Sequence, residues 1–272
     1  MHRLLGIDKE VVVDVEAIIA IQTARYAKMV FSAPKPKVGK IVWINGYPCA
    51  GKSFMGDYLA SIGWHLVDGD RCGYDQDPAV KEIAKKLGEA YRTWTTSNEK
   101  ADESKWTGYY TELIDEAKKE AQDGKDVVIT LVSYKRYVRD WVRERCPEVI
   151  FVHLEADVNT LEVRNKTRLD IAFASMGASR EIMWNSDDYL DMAYAREKYG
   201  AYTPENFDLW FRETFYAGYE KFDKDEKNVF EVDQNEFSDN QSLKQLHKVL
   251  GINKEVVVDV AAIEAIQTAR YA

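Results

Sequence analysis

The sequence predicts an α/β protein built on a doubly wound, parallel five-stranded sheet with a helical insertion. Three observations point there. Short apolar runs at residues 40–45, 64–68, 126–132, 149–154 and 228–232 alternate with stretches of helical period, as strands joined by crossover helices do. A glycine-rich turn follows the first run and opens directly into a helix-compatible segment. Residues 169–225 carry no strand pattern but many aromatics, which reads as a helical lid or acceptor-side insertion.

From the N-terminus, residues 1–37 form an arm and linker. Asp14 can cap a helix in which Val15, Ile18, Ile19, Ile21 and Ala24 fall at roughly helical spacing, running to about residue 29. Residues 33–37, APKPK, then read as extended, because each proline fixes its own φ and disfavours helix in the residue before it. The main domain is expected over residues 38–246. The segment from His247 to Ala272 repeats His2 to Ala27 without gaps and differs at five positions. The simplest reading is a second copy of the arm opening the next unit of a tandem array, with contacts between units through the arms. Such a helix packs on its own domain or docks a neighbour, and tertiary packing decides between them.

The chemistry concentrates after the first two strands. GYPCAGKS at residues 46–53 matches G-x-x-x-x-G-K-[ST]. Glycines at Gly46 and Gly51 let backbone N–H groups, including that of Ala50, close around phosphates, and the following helix start favours anions. Lys52 is placed to reach the β- and γ-phosphates and Ser53 to ligate Mg²⁺. VDGDR at residues 67–71 sets Asp68 and Asp70 at the carboxyl end of the second strand, beside the mouth of that loop. One carboxylate can join the metal's shell and the other can accept a hydroxyl proton. Taken alone, two acids after a strand also describe an ordinary turn.

With these residues the chain resembles P-loop small-molecule kinases of the gluconate kinase type, and more loosely the shikimate, adenylylsulfate and zeta-toxin-like kinases. VSYKRYVRDWVR at residues 132–143 is the most particular match, and FVHLEADVNTLEVRNKTR at residues 151–168 is similar to the fourth strand and lid-proximal helix of that group. The likeness covers residues 40–168, fits the last strand more loosely, and leaves out the arms and residues 169–225. It implies ATP and Mg²⁺ as cofactors and transfer of the γ-phosphoryl group to a small-molecule hydroxyl, a sugar acid or similar metabolite. Asp68 and Asp70 then share the metal and general-base roles, with Asp70, Arg71, Arg136 and Arg139 toward the acceptor. Arg164 and Arg168, four apart on one helix face, close over the transferring group. Asn235, after the last strand, lies beside the nucleotide base.

Composition narrows the alternatives. The formal charge of -9, from 46 acidic against 37 basic residues, argues against nucleic acid as the main partner. Asp8, Lys9, Glu10, Asp14 and Glu16 break the N-terminal apolar runs, so neither a signal peptide nor a membrane span is expected. Cys49, Cys72 and Cys146 have neither disulfide-framework nor zinc spacing, which suggests a reducing, cytoplasmic setting. His65 and His153 fall in apolar strand patterns and read as structural. A nucleoside monophosphate kinase, a slow nucleotide switch and a non-catalytic scaffold remain as rivals; the paired acids favour a hydroxyl acceptor over a phosphate.

Overall fold

Each predicted strand is present, its ends within two residues of the expected ones: β1 (Ile41–Gly46), β2 (His65–Asp68), β3 (Val127–Thr130), β4 (Ile150–Glu155) and β5 (Val229–Asp233). This computed structural model describes residues 38–71, 77–97, 99–175, 179–186, 192–235 and 240–271; the N-terminal arm, its expected helix and Cys72 lie outside them. The strands pair in the order β2-β3-β1-β4-β5, every pairing parallel. A parallel sheet is covered on both faces, so its central strand needs an unbroken apolar run. All of β1 is buried, with Val42, Trp43 and Ile44 at 0% exposure.

The helices are α1 (Lys52–Ser61), α2 (Pro78–Thr96), α3 (Thr107–Gln122), α4 (Arg136–Arg145), α5 (Val158–Ser175), α6 (Arg180–Asn185), α7 (Met192–Tyr199), α8 (Pro204–Phe211), α9 (Gln241–Leu250) and α10 (Val260–Tyr271). Their starts follow local chemistry: Asp77, Ser179 and Thr203 each accept a backbone N–H as N-caps, and Pro78 and Pro204 occupy first-turn positions that need no N–H. Among the described residues no helix is long and apolar enough to cross a membrane.

Register sets the functional rim. Gly46 lies opposite Leu154, Asp68 opposite Thr130, and Glu155 opposite Asp233, so the carboxyl ends of all five strands share one edge. β1 leads to β2 on one side of it while β4 lies on the other, which places the reversal of strand order, where open α/β sheets bind ligands, above β1.

The expected insertion is helical, from the end of α5 through α8 to a π-helical turn at Arg212–Tyr216. Its rings make a core of their own: Trp184, Phe207 and Trp210 cluster with Met183, Met192 and Ala195, and Phe211 and Phe215 pack against both this cluster and the main one. The rings therefore fill a core, as most such aromatics do.

The division expected at residue 246 falls inside α9, and residues 38–272 form one unit. After α9, Gly251 takes the left-handed conformation (φ 64°) that ends a helix without a Cβ penalty, and the chain runs to α10. There Ile263 is buried and Gln267 Nε2 donates to Asp57 Oδ2 of α1 at 3.0 Å. The C-terminal copy of the arm packs on its own domain.

Candidate active site

The loop between β1 and α1 has the backbone that closely spaced N–H groups require. Gly46 (φ 150°), Cys49 (φ 65°) and Gly51 (φ 98°) all have positive φ. A Cβ on Gly46 would stand 2.9 Å from Leu154 O, so that position needs glycine on steric grounds as well. Ala50 is fully buried and its N–H donates to Tyr47 O at 3.1 Å, closing the turn. Lys52 opens α1, and its Nζ donates to the carbonyls of Gly46 (3.2 Å) and Tyr47 (3.0 Å). The ammonium is thereby held within the curve of the loop. Ser53 is the second residue of α1.

Asn45 anchors the loop, a role that sequence reasoning missed. Fully buried at the end of β1, it accepts the N–H groups of Gly46 and Ser133, each at 2.9 Å, and donates to Ser133 O at 3.3 Å. A strand pattern registers such a residue only as a polar break. Gly69 was also missed as a constrained position: its N–H donates to Thr130 O at 2.9 Å, and a Cβ there would meet that oxygen at 2.6 Å. Tyr109 Oη donates to Gly69 O at 2.7 Å. Close approach of β2 and β3 thus fixes the turn carrying the acids. Asp68 Oδ1 accepts from the Asp70 N–H (3.0 Å) and from Thr130 Oγ1 (3.3 Å), while Asp70 is exposed at the rim.

On the other side of the loop, α5 contributes Asn165, whose Oδ1 lies 3.5 Å from Cys49 Sγ, and Arg164, which donates to Gln234 O. Burial pulls the Arg164 guanidinium below its usual value, against the pull of Asp157. Arg168 lies one turn farther along α5. Asn235 Oδ1 accepts the Asp157 N–H at 2.8 Å, so it braces the start of α5. Its neighbour Gln234 is the more telling residue. It is 0% exposed, neither polar atom of its amide has a protein partner, and its Oε1 lies 3.4 Å from where a Cβ on Gly51 would stand. A buried, unbonded amide against a phosphate-type loop is a group that a bound nucleotide can satisfy.

Three arginines expected toward the acceptor have intramolecular partners. Arg71 pairs with Glu116 at 2.5 Å and Glu112 at 3.7 Å. Arg136 binds Asp223 and Asp225. Arg139, 0% exposed, makes a two-pronged pair with Glu226 at 2.7 and 2.9 Å and donates to the carbonyls of Ser133, Glu220 and Lys221. The structure engages Arg136 and Arg139 in tying α4 to the segment before β5, a structural role that the resemblance did not imply. The carboxylates were sixty or more residues beyond the matched motif, where local reading does not reach.

Of the two histidines read as structural, His65 Nε2 lies 3.3 Å from Glu116 Oε1 on α3. His153 is buried, its Nε2 2.8 Å from Glu155 and its Nδ1 3.1 Å from Tyr219 Oη, and burial lowers its proton affinity. Near the rim, burial raises the phenols of Tyr134 and Tyr216, with Asp70 adding to the first and Cys49 to the second. Both stay protonated, able to donate.

No family model matches the sequence, and no curated protein does. Among solved structures, the chain is similar to an unliganded sugar kinase from Janibacter sp. HTCC2649 (19% identity, 79% of this chain and 96% of that one covered, TM-score 0.46). It is also similar to a gluconokinase from Sinorhizobium meliloti 1021 (18%, 86% and 97%, 0.43). A third is the Mycobacterium tuberculosis APS kinase in complex with AMPPNP and APS (16%, 79% and 99%, 0.43). Likeness of this degree carries no argument about chemistry, which rests on the residues themselves.

Proposed function

We propose that the chain is an ATP-dependent phosphotransferase that moves the γ-phosphoryl group to a hydroxyl of a small molecule. The observation that carries this reading is the positive-φ loop at the carboxyl end of the central strand, with Lys52 folded into it and Asp68 and Asp70 on the same rim, at the end of β2 beyond β3. The residues present fit a Mg²⁺-nucleotide. Gly46 and Ala50, whose N–H groups bond Asn45 and Tyr47, shape the loop; Gly51 offers a backbone N–H, Lys52 a positive charge, Ser53 and Asp68 oxygen ligands, and Gln234 an amide seeking a partner. Bound Mg²⁺-ATP supplies the transferable phosphoryl group and an electrophilic phosphorus.

The chain's own residues then do three things. Lys52, with Arg164 and Arg168 from α5, neutralises charge that develops on the transferring group. Asp70, at the exposed rim, accepts the proton of the acceptor hydroxyl, while Asp68, held by Thr130 and the Asp70 N–H, orients the metal's shell. The insertion between α5 and β5 excludes water and meets the acceptor. Arg136 and Arg139, paired with Asp223, Asp225 and Glu226, serve the fold in this reading.

The test is ADP release from Mg²⁺-ATP across sugar acids, sugars, other small hydroxyl compounds and nucleoside monophosphates, with Lys52→Ala alongside. Acceptor-stimulated release that falls by about 10²–10³ in Lys52→Ala is expected. Nucleotide binding with no stimulation by any acceptor would point to a switch or scaffold instead.

A further inference from the structure

The C-terminal copy of the repeated arm shows what the repeat is for, because its docked face can be read residue by residue. His247 and Leu250 of α9, with Ile252, Val256 and Val258 after it and Ala262, Ile263 and Ile266 on α10, are buried or half-buried, and the apolar ones up to Ile263 pack on the main core. His247 Nε2 meets Tyr58 Oη at 2.7 Å, Gln267 meets Asp57, and Asp259 Oδ1 accepts the Ala262 N–H at 3.0 Å as the cap of α10. Every one of these residues recurs in the N-terminal copy, from His2 through Asp14 and Ile18 to Gln22. Of the five changes, four fall where the docked copy is exposed: Lys248, Asn253, Ala261 and Glu264 replace Arg3, Asp8, Glu16 and Ile19. The fifth, Val249 for Leu4, is apolar on both sides.

A repeat that drifted freely would change buried and exposed positions alike; this one has kept the contact face of α1 matched twice. We infer that the N-terminal arm, residues 2–27, docks on the α1 face of a second copy of the chain, in the place held here by that copy's own C-terminal arm. A seat already filled by a segment continuous with α9 opens by exchange. Reciprocal exchange closes a two-fold pair, in which the second docking is intramolecular at an effective concentration of about millimolar.

Two measurements on the full chain test this. First, a labelled peptide of residues 2–27 is titrated with Ile18→Asp and with Ile18→Asp/Ile263→Asp, which also loosens the resident arm, so that no chain's own N-terminal arm competes for the seat, and fluorescence anisotropy is read. The double variant is expected to bind at least ~10-fold tighter, because the tethered C-terminal arm no longer competes at its millimolar effective concentration. A peptide carrying Ile18→Asp should bind neither chain. If circular dichroism shows Ile263→Asp to be unfolded, Gln267→Ala removes only the bond to Asp57 and should give the same order with a smaller margin. Peptide affinity indifferent to both changes overturns the inference. Second, sedimentation should show Ile263→Asp as a dimer, and Ile18→Asp/Ile263→Asp as a monomer. Peptide binding with the Ile263→Asp chain monomeric throughout would put the arm on its own seat and overturn docking on a second copy.

Discussion

Replacing Arg139 by methionine separates the two roles that this residue has been given. In the structure its guanidinium and the Glu226 carboxylate are both 0% exposed, paired through two contacts, with three backbone carbonyls and the Phe222 ring, 4.2 Å away, completing the surroundings. Arg139→Met removes one partner of a buried pair and leaves Glu226 with Arg143 at 2.9 Å. Losses of this kind cost about 3–5 kcal/mol, a large share of the 5–15 kcal/mol typical of a folded domain. Urea denaturation followed by tryptophan fluorescence reads the change in midpoint. Arg139→Met/Glu226→Leu should recover much of the loss, since no carboxylate is then left buried without its partner. A destabilisation below about 1 kcal/mol, the level of an exposed pair, together with a raised acceptor KM, would refute the structural role and return Arg139 to the acceptor site.

The remaining expectations concern the rim and its supports. Asp70→Asn should lower acceptor-dependent turnover by about 10²–10⁴ while leaving ATP affinity within a few-fold, as measured by steady-state kinetics and calorimetry. Gly46→Ala forces a Cβ to 2.9 Å from Leu154 O at positive φ; it should destabilise by about 1–3 kcal/mol and abolish measurable nucleotide binding. Burial alone would raise the Glu226 carboxyl, but its bonds to Arg139 and the Asp223 N–H outweigh burial and hold it below its usual value. Folding therefore gains stability from it above the unfolded pKa of about 4.3 and loses that gain as pH falls through the lower folded value. Urea midpoints should drop below pH 5 less steeply in Glu226→Gln than in wild type.

The sheet was legible because its signal is local. Runs such as residues 41–44 are apolar at every position, as strands buried on both faces are, and the turn residues between them punctuate the chain. The phosphate loop was equally plain, since its spacing encodes backbone geometry that few other residues permit. What escaped notice depends on contacts far apart in sequence. Asn45 bonds Ser133 across two strands, Gly69 is pinned by Thr130, and Arg139 finds its carboxylate on Glu226. Gln234 became visible as a candidate only when folding placed its amide beside Gly51 with nothing to bond. A repeat marks similarity of sequence, while packing follows contacts, and α9 carries the chain through residue 246 without a break.

The insertion's separate core bears on how such a protein can change. Among the described residues, its cluster and the sheet's have Phe211 and Phe215 in common. A substitution at Trp184 or Phe207 is absorbed on one side of that junction, and a substitution at Trp43 or Phe151 on the other, because packing strain dissipates where few side chains interdigitate. The residues of the smaller cluster can therefore be rewritten, by drift or by design, so long as Tyr216 and Tyr219, whose rings lie 5.8 and 4.4 Å from that of Tyr47 in the glycine-rich loop, are kept. Variation can accumulate in one cluster while the loop and the rings packed on it stay constant.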